Sequence, residues 1–452
     1  MDLRGLSRWS LAGWALAFGL APGLVAAAQQ PPTPGTVAQG EAHAPQVIHT
    51  DHGPNSAHAL KQHYVVLVSL DGFRWDYAKK YGATHLLALG KQGVWAPQGM
   101  IPSYPSLTFP NHYAIVTGLY PEHNGLVANS FYDESRAADG KLARYAISDA
   151  KAVTDGSWYS GVPLWSLAEQ QGMRSACLFW PGSEAKIAGE LPSYYLHFDD
   201  KVDESARIDQ VLAWLKQPEE TRPHFITLYY SDVDHAGHQY GPDAPETKAA
   251  VAKVDALVGK LHAALDATGL PIDLVVVSDH GMARTEGPWI TLDQFADLGG
   301  FETVGPLLYG KTETDRVRVY NQLKKASDKF QVYRRKDVPA GLHYSENPRE
   351  GDPVIVPTGP YAIRAHAPEA GKPDSPPITG QHGYDPRTMP QMKASFFAAG
   401  PDIVPGKSVA PFENVNLYPW IAHLLGLNAP KSDGDLNILA GTLRDNGDKP
   451  MQ

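Results

Sequence analysis

Seven side chains able to ligate a metal or act as a nucleophile stand where the backbone pattern of the chain changes: Asp71, Thr108, Asp234, His238, Asp279, His280 and His382. Carboxylates and imidazoles are donors for divalent ions such as Zn²⁺. A hydroxyl held beside such an ion can be ionised and used as a nucleophile. The set reads as a two-metal site for cleaving a phosphoester.

The elements that must position these residues are three β-branched, apolar runs. Residues 63–70 stop at Asp71-Gly72, residues 225–231 feed Asp232-Val-Asp234-His-Ala-Gly-His238, and residues 272–278 deliver Asp279-His280-Gly281. Continuous apolar strands between helical stretches imply a parallel sheet covered on both faces, and such sheets hold ligands beyond the carboxyl ends of their strands. Three carboxylates and two imidazoles then converge on one edge.

Local patterns leave a bland alternative open at each position. Thr108-Phe-Pro-Asn-His112 precedes a helical pattern, so Thr108 could simply cap that helix; equally, a helix start offers free N–H groups and a positive dipole end to a phosphoryl group. Asp234 and His238 are four residues apart, which brings both to one side of a helix. Asp279 and His280 are adjacent and need a sharp turn to act together, which Gly281 permits. His382 lies in a Gly-flanked loop, Thr379-Gly-Gln-His-Gly-Tyr-Asp385, where exposure is the default.

The chain has 452 residues, 43% of them hydrophobic, which is enough for a large globular core. Arg4 and Arg8 precede an apolar stretch that ends in Ala26-Ala27-Ala28, so residues 1–28 read as a cleavable secretory signal, with no membrane span expected after cleavage. With a net charge of −10 the protein is a poor partner for nucleic-acid backbone. The single cysteine, Cys177, excludes an internal disulfide and sits in an apolar run as a buried, inert thiol. Together these features point to a periplasmic or secreted protein.

Residues 29–59 are rich in Pro, Gly, Ala and His and read as a flexible segment. A folded domain is expected over residues 60–435, followed by a tail at 436–452. Strand patterns alternate with helical ones at 162–171, 208–216 and 246–267, the signature of an α/β, doubly wound and mostly parallel sheet flanked by helices. Between about 290 and 370 short alternating pieces, 314–320 and 329–335, indicate a smaller inserted α+β subregion. Residues 394–400 resume a core strand, and 416–426 form a closing helix.

Four ordered motifs, Thr108-Phe-Pro-Asn-His-Tyr, Asp234-x-x-Gly-His with Gly241-Pro242, Ser278-Asp-His-Gly-Met and His382-Gly-Tyr-Asp, resemble those of the nucleotide pyrophosphatase/phosphodiesterase family of the alkaline phosphatase superfamily, in its bacterial form. Trp180-Pro-Gly-Ser-Glu184 and Pro121-Glu-His-Asn-Gly125 extend the resemblance. It implies an alkaline phosphatase-like fold and two Zn²⁺ ions, one held by Asp234, His238 and His382, the other by Asp71, Asp279 and His280 with Thr108 as the nucleophile. It also implies that the Asn129 side chain donates to a phosphoryl oxygen, assisted by the Phe109 amide. Two divalent ions are then balanced by three aspartates and a Thr108 alkoxide, and a neutral cluster matches a diester monoanion better than a monoester dianion.

The resemblance further implies a small nucleotide or phosphodiester substrate cleaved to a nucleoside 5′-monophosphate through a phospho-threonine intermediate. Phe109 and a tyrosine after the Trp-Pro-Gly-Ser motif would sandwich the base. Tyr194 and Tyr195 both stand there, and Tyr195 is the choice. The alternatives are a choline-type lysophospholipid phosphodiesterase, a phosphomonoesterase of the same superfamily and, from another class, an inactive secreted metal-binding protein. Oligomeric state is not legible.

Overall fold

The computed structural model describes residues 43–369 and 371–444. The expected signal at 1–28, residues 29–42 of the expected flexible segment and residues 445–452 of the tail lie outside the described residues.

A nine-stranded sheet organises the domain. Its strands are β1 (Ile48–His49), β2 (Tyr64–Leu70), β3 (Val94–Trp95), β4 (Ser175–Leu178), β5 (Tyr194–Leu196), β6 (Phe225–Tyr230), β7 (Ile272–Val277), β8 (Phe396–Ala399) and β9 (Lys407–Ser408). They lie in the order β1-β5-β4-β6-β2-β7-β8-β3-β9. The block β5-β4-β6-β2-β7 is parallel throughout, whereas β1 and β8 run against it. The sequence places a core strand at 394–400 but cannot give its direction, which follows from the path of the chain between β7 and β8.

The long apolar runs are buried on both faces because helices cover both. Val65 and Leu67 of β2 join one core together with Tyr113, Ile115, Trp165 and Trp420, from the helices Thr108–Thr117, Leu164–Gln170 and Leu417–Leu424. Val66, Val68 and Leu70 join the other, against Val211 of Glu204–Leu215 and Val254, Val258 and Leu261 of Pro245–Asp266. The two-residue period of the strand thus divides one apolar run between two cores. Each such buried side chain contributes roughly 1.5–3 kcal/mol.

Residues 290–365 hold a separate small core around Leu292, Leu308, Val319, Leu323, Val332 and Ile355. Phe330–Tyr333 pairs antiparallel with Val354–Pro357. Residues 314–320, which alternate like a strand, are instead helical within Glu313–Leu323. The Thr312 side chain caps that helix by accepting from the Asp315 N–H, and Val319 and Leu323, four residues apart, are its buried side. The local alternation of Val317 and Val319 is too short to outweigh a cap and a helical apolar stripe.

Two boundaries also move. Within the segment expected to be flexible up to residue 59, Ile48 and His49 join the sheet by pairing with Tyr195 and Tyr194, and the Asn55 amide donates to the carbonyls of Glu219 and Arg222. At the other end, Leu439 is buried and Thr442 accepts from the Trp420 indole N–H at 3.0 Å, so residues up to 444 pack on the domain. Two-residue edge pairings and side-chain anchors of this kind leave no periodic trace in a sequence.

Candidate active site

Strands β6, β2 and β7 are sheet neighbours and run the same way, so their carboxyl ends share one edge. Asp71 follows β2 directly, Asp279 and His280 follow β7 within three residues, and Asp234 lies in the first turn of the helix Asp232–Tyr240 behind β6. Close approach there requires glycine: Gly72 has φ +66, and a Cβ on it would fall 2.9 Å from Asp234 Cα. The Gly72 N–H donates to Asp279 Oδ1 at 3.2 Å, tying two strand ends together.

The side chains interlock. His238 Nε2 lies 3.3 Å from Asp234 Oδ2, and His382 Nε2 lies 3.6 Å from Asp234 Oδ1. His280 Nε2 lies 3.0 Å from Asp279 Oδ2 and 3.4 Å from Asp71 Oδ1. The His280 and His382 rings stack with centroids 3.6 Å apart, which sets the two groups side by side. His382 is not the exposed loop residue that its flanking glycines imply, because its side chain is only 6% exposed. The ribbon that pairs Gly380–Gln381 with Ala283–Arg284 draws it inward, and Gly380 fits because a Cβ there would meet Gly237 O at 2.2 Å.

Three donor groups form around these contacts: Asp234, His238 and His382; Asp71, Asp234 and His280; and Asp71, His112 and Asp279. Asp71 Oδ1, Asp234 Oδ1 and Asp279 Oδ2 are buried without a hydrogen-bond partner. A buried carboxylate oxygen is costly unless a proton or cation answers it, so this donor set fits divalent ions. Burial and the charges of Asp279 and Asp234 push the Asp71 carboxyl well above the usual carboxylate range. Burial also opposes ionisation of Asp279, but His280 and His112 hold it well below that range. Burial, with His280 next to it, pushes the His382 imidazole down to about 3, leaving it neutral and free to donate a lone pair.

Thr108 begins its helix, but Leu107 occupies the cap position, and Thr108 Oγ1 faces His280 Nε2 at 3.3 Å. The hydroxyl is therefore aimed at the donor cluster rather than serving as the helix cap. The Phe109 N–H donates to Asn129 Oδ1 at 3.0 Å instead of pointing at an open site. This contact fixes the Asn129 carboxamide and leaves its NH₂ as the remaining donor.

Sequence reasoning missed three neighbours of the site. His112 is fully buried, with Nδ1 3.3 Å from Asp279 Oδ2 and Nε2 2.7 Å from Ser69 Oγ. Its position four residues after Thr108, on the same helical side, was the available signal. The Tyr229 hydroxyl donates to Asp71 Oδ2 at 2.6 Å. Phe198, 50% exposed, packs at 5.5 Å from Phe179 and 6.1 Å from Tyr229. By contrast Tyr195 is only 8% exposed and belongs to one buried core, while Tyr194 faces the opposite core and donates its hydroxyl to Gln217 Oε1.

Residues 65–385 match the family described as type I phosphodiesterase / nucleotide pyrophosphatase, a span that holds every site residue above. The chain belongs to this family. An uncharacterised pyrophosphatase/phosphodiesterase of Schizosaccharomyces pombe is 35% identical over 84% of this chain and 80% of its own length. Human bis(5′-adenosyl)-triphosphatase ENPP4 is 32% identical over 82% of this chain and 80% of its own. Rat ectonucleotide pyrophosphatase/phosphodiesterase family member 1 is 36% identical, and the chain spans 42% of its length. Among solved structures, mouse ectonucleotide pyrophosphatase/phosphodiesterase 5 in an inactive form with AMP superposes with a TM-score of 0.77, 27% identity, and coverage of 85% of this chain and 100% of that one. As a member of the type I phosphodiesterase / nucleotide pyrophosphatase family, the protein is a phosphoric diester hydrolase with an alkaline phosphatase-like α/β fold. Among the described residues no helix is long and apolar enough to cross a membrane.

Proposed function

We propose that this phosphodiesterase cleaves nucleotide pyrophosphate or phosphodiester bonds to nucleoside 5′-monophosphates, with Thr108 as the nucleophile. The observation that carries this is the Thr108 hydroxyl, set at a helix start against His280 in a cluster with buried oxygens of Asp71 and Asp234 that lack a hydrogen-bond partner. Asp234, His238 and His382 would hold one zinc ion, and Asp71, Asp279 and His280 a second beside Thr108. Zinc bound there supplies Lewis-acid stabilisation of the charge that develops on oxygen.

The protein's own groups do the rest. Thr108 Oγ attacks phosphorus in line with the departing oxygen, the P–O bond to the leaving group breaks, and the hydroxyl proton passes to solvent. Water then cleaves the phospho-threonine, releasing the monophosphate and restoring the hydroxyl. The NH₂ of Asn129 donates to a non-bridging oxygen, and the helix start adds its positive dipole end. The Tyr229 hydroxyl and the Gly72 N–H orient the Asp71 and Asp279 carboxylates.

For the base we infer a slot between Phe109 and Phe198, not Tyr195. Phe198 keeps half its surface open beside Tyr229, whereas Tyr195 is enclosed by the core. Support for a nucleotide also comes from the AMP complex of the mouse relative.

The test is Thr108→Ala beside Thr108→Ser, assayed on a nucleoside triphosphate and a dinucleotide with product analysis and metal content. Thr108→Ala is expected to keep its zinc and lose turnover and the trapped phospho-enzyme, with Thr108→Ser retaining part of both. Near-normal turnover by Thr108→Ala refutes the nucleophile assignment.

A further inference from the structure

We propose that residues 344–349 of the inserted subregion form a strap that positions Asn129, with Tyr344 and Arg349 as its positioning residues; this rests on the reading of Asn129 as a phosphoryl donor. Asn129 lies between Val127 and the strand Ser130–Ala138, in a stretch of chain with no regular element of its own at that point. Its backbone carbonyl accepts from the Ile147 N–H at 3.0 Å, which secures one side through the adjoining hairpin.

The other side is secured by the inserted subregion, more than 200 residues away in sequence. The buried Tyr344 hydroxyl donates to Val127 O at 3.0 Å. The Arg349 guanidinium donates to Asp133 Oδ2 at 2.8 Å, to Gly125 O at 2.9 Å and to Trp158 O at 2.7 Å. These contacts bracket Asn129, two residues from Val127 and four from Gly125 and Asp133. Tyr309 closes the network, donating to Arg349 O at 2.7 Å and accepting from the Tyr132 N–H at 3.1 Å. Gly125 leaves the space Arg349 needs, since a Cβ there would lie 2.7 Å from its Nη1.

The physical logic is that of a supporting shell. A donor aimed at a developing charge must be held within a fraction of an ångström, and a loop cannot do that alone. A planar guanidinium with several fixed donors can pin a carboxylate and two carbonyls together, which the single ammonium of lysine cannot. The strap contacts none of the seven candidate metal-binding and nucleophilic residues in any hydrogen bond above. Its effect on the reaction runs through Asn129.

A double-mutant cycle separates positioning from general support. Tyr344→Phe keeps the buried ring and removes one hydrogen bond; Arg349→Lys is an independent second variant. Each is made in the otherwise native protein and in Asn129→Ala, and kcat/KM on a nucleoside triphosphate is read together with zinc content and Tm. Each strap variant is expected to lower kcat/KM about tenfold with two zinc ions retained, and to cause no further loss in the Asn129→Ala background. An equal loss in both backgrounds shows a merely structural strap and overturns the proposal, as do strap variants at the native rate. If Asn129→Ala itself runs at the native rate, the donor reading fails and takes the strap proposal with it.

Discussion

His238 and His382 face each other with their Nε2 atoms 3.2 Å apart, while each turns Nδ1 to a backbone carbonyl, Gly380 O at 2.8 Å and Ser106 O at 2.9 Å. A carbonyl only accepts, so each Nδ1 carries a ring proton, and in the neutral form of each ring Nε2 presents a lone pair. Two lone pairs converging beside an unanswered Asp234 oxygen call for a cation.

Replacing either histidine with alanine is therefore expected to lower bound zinc from two ions toward one per chain and to slow diester cleavage by about 10²–10⁴-fold. Elemental analysis and turnover on one preparation check this. Two retained ions in both variants would falsify the assignment.

Metal uptake should release protons. Burial and the neighbouring carboxylates raise the Asp71 pKa in the metal-free site, so a proton must leave before that carboxylate can bind an ion. Affinity for zinc is then expected to fall as pH falls. The sign for stability is the reverse: the contribution of Asp71 to the stability of the metal-free protein falls as pH rises above the ordinary carboxylate range, because the folded state keeps a proton there that the unfolded chain has given up. Calorimetry of zinc binding near pH 6 in two buffers of different ionisation enthalpy reads the released proton, and identical heats would count against it.

The base slot makes a distinction between two aromatic residues. Phe198→Ala is expected to raise KM for nucleotides by about tenfold, the scale of losing one stacking face, and to leave cleavage of a small diester without a base nearly unchanged. An unchanged nucleotide KM in Phe198→Ala would return the role to Tyr195.

Glu350 carries a prediction away from the site. It is fully buried with neither oxygen hydrogen-bonded, and burial together with the Glu122 charge pushes its pKa up to about 9. The folded state thus holds a proton that the unfolded chain releases near its ordinary pKa, and stability falls from there up to about pH 9, on the order of 1.4 kcal/mol per pH unit. Glu350→Gln is expected to raise Tm at pH 8 and change it little at pH 4.5. An equal shift at both values would rule out this linkage.

The sheet and its site edge were legible in sequence because β2, β6 and β7 are buried on both faces and write continuous apolar runs that end at Asp71, Ser231 and Ser278. The helix Glu313–Leu323 was misread because two valines in alternation mimic a strand when the Thr312 cap goes unnoticed. The proposed move of the base slot from Tyr195 to Phe198 has a related reason: burial depends on what covers a side chain. Tyr195 within β5 and Phe198 two residues past its end are both aromatic, but Tyr195 is buried and Phe198 half exposed.

The sequence by itself determined which chemistry is present. Asp71, Asp234, Asp279 and His280 follow strand ends and Thr108 stands at a helix start, places that local rules of period and capping reveal, whereas His238 and His382 are marked by spacing and motif. Only the tertiary structure decided the contacts made between distant segments: the His280–His382 stack, the Tyr229 hydrogen bond to Asp71, the edge pairing of Ile48, and the strap from residues 344–349 across the Asn129 segment. Those contacts join residues far apart in the chain through single hydrogen bonds and ring faces, which carry no local period and exist only once the cores have closed.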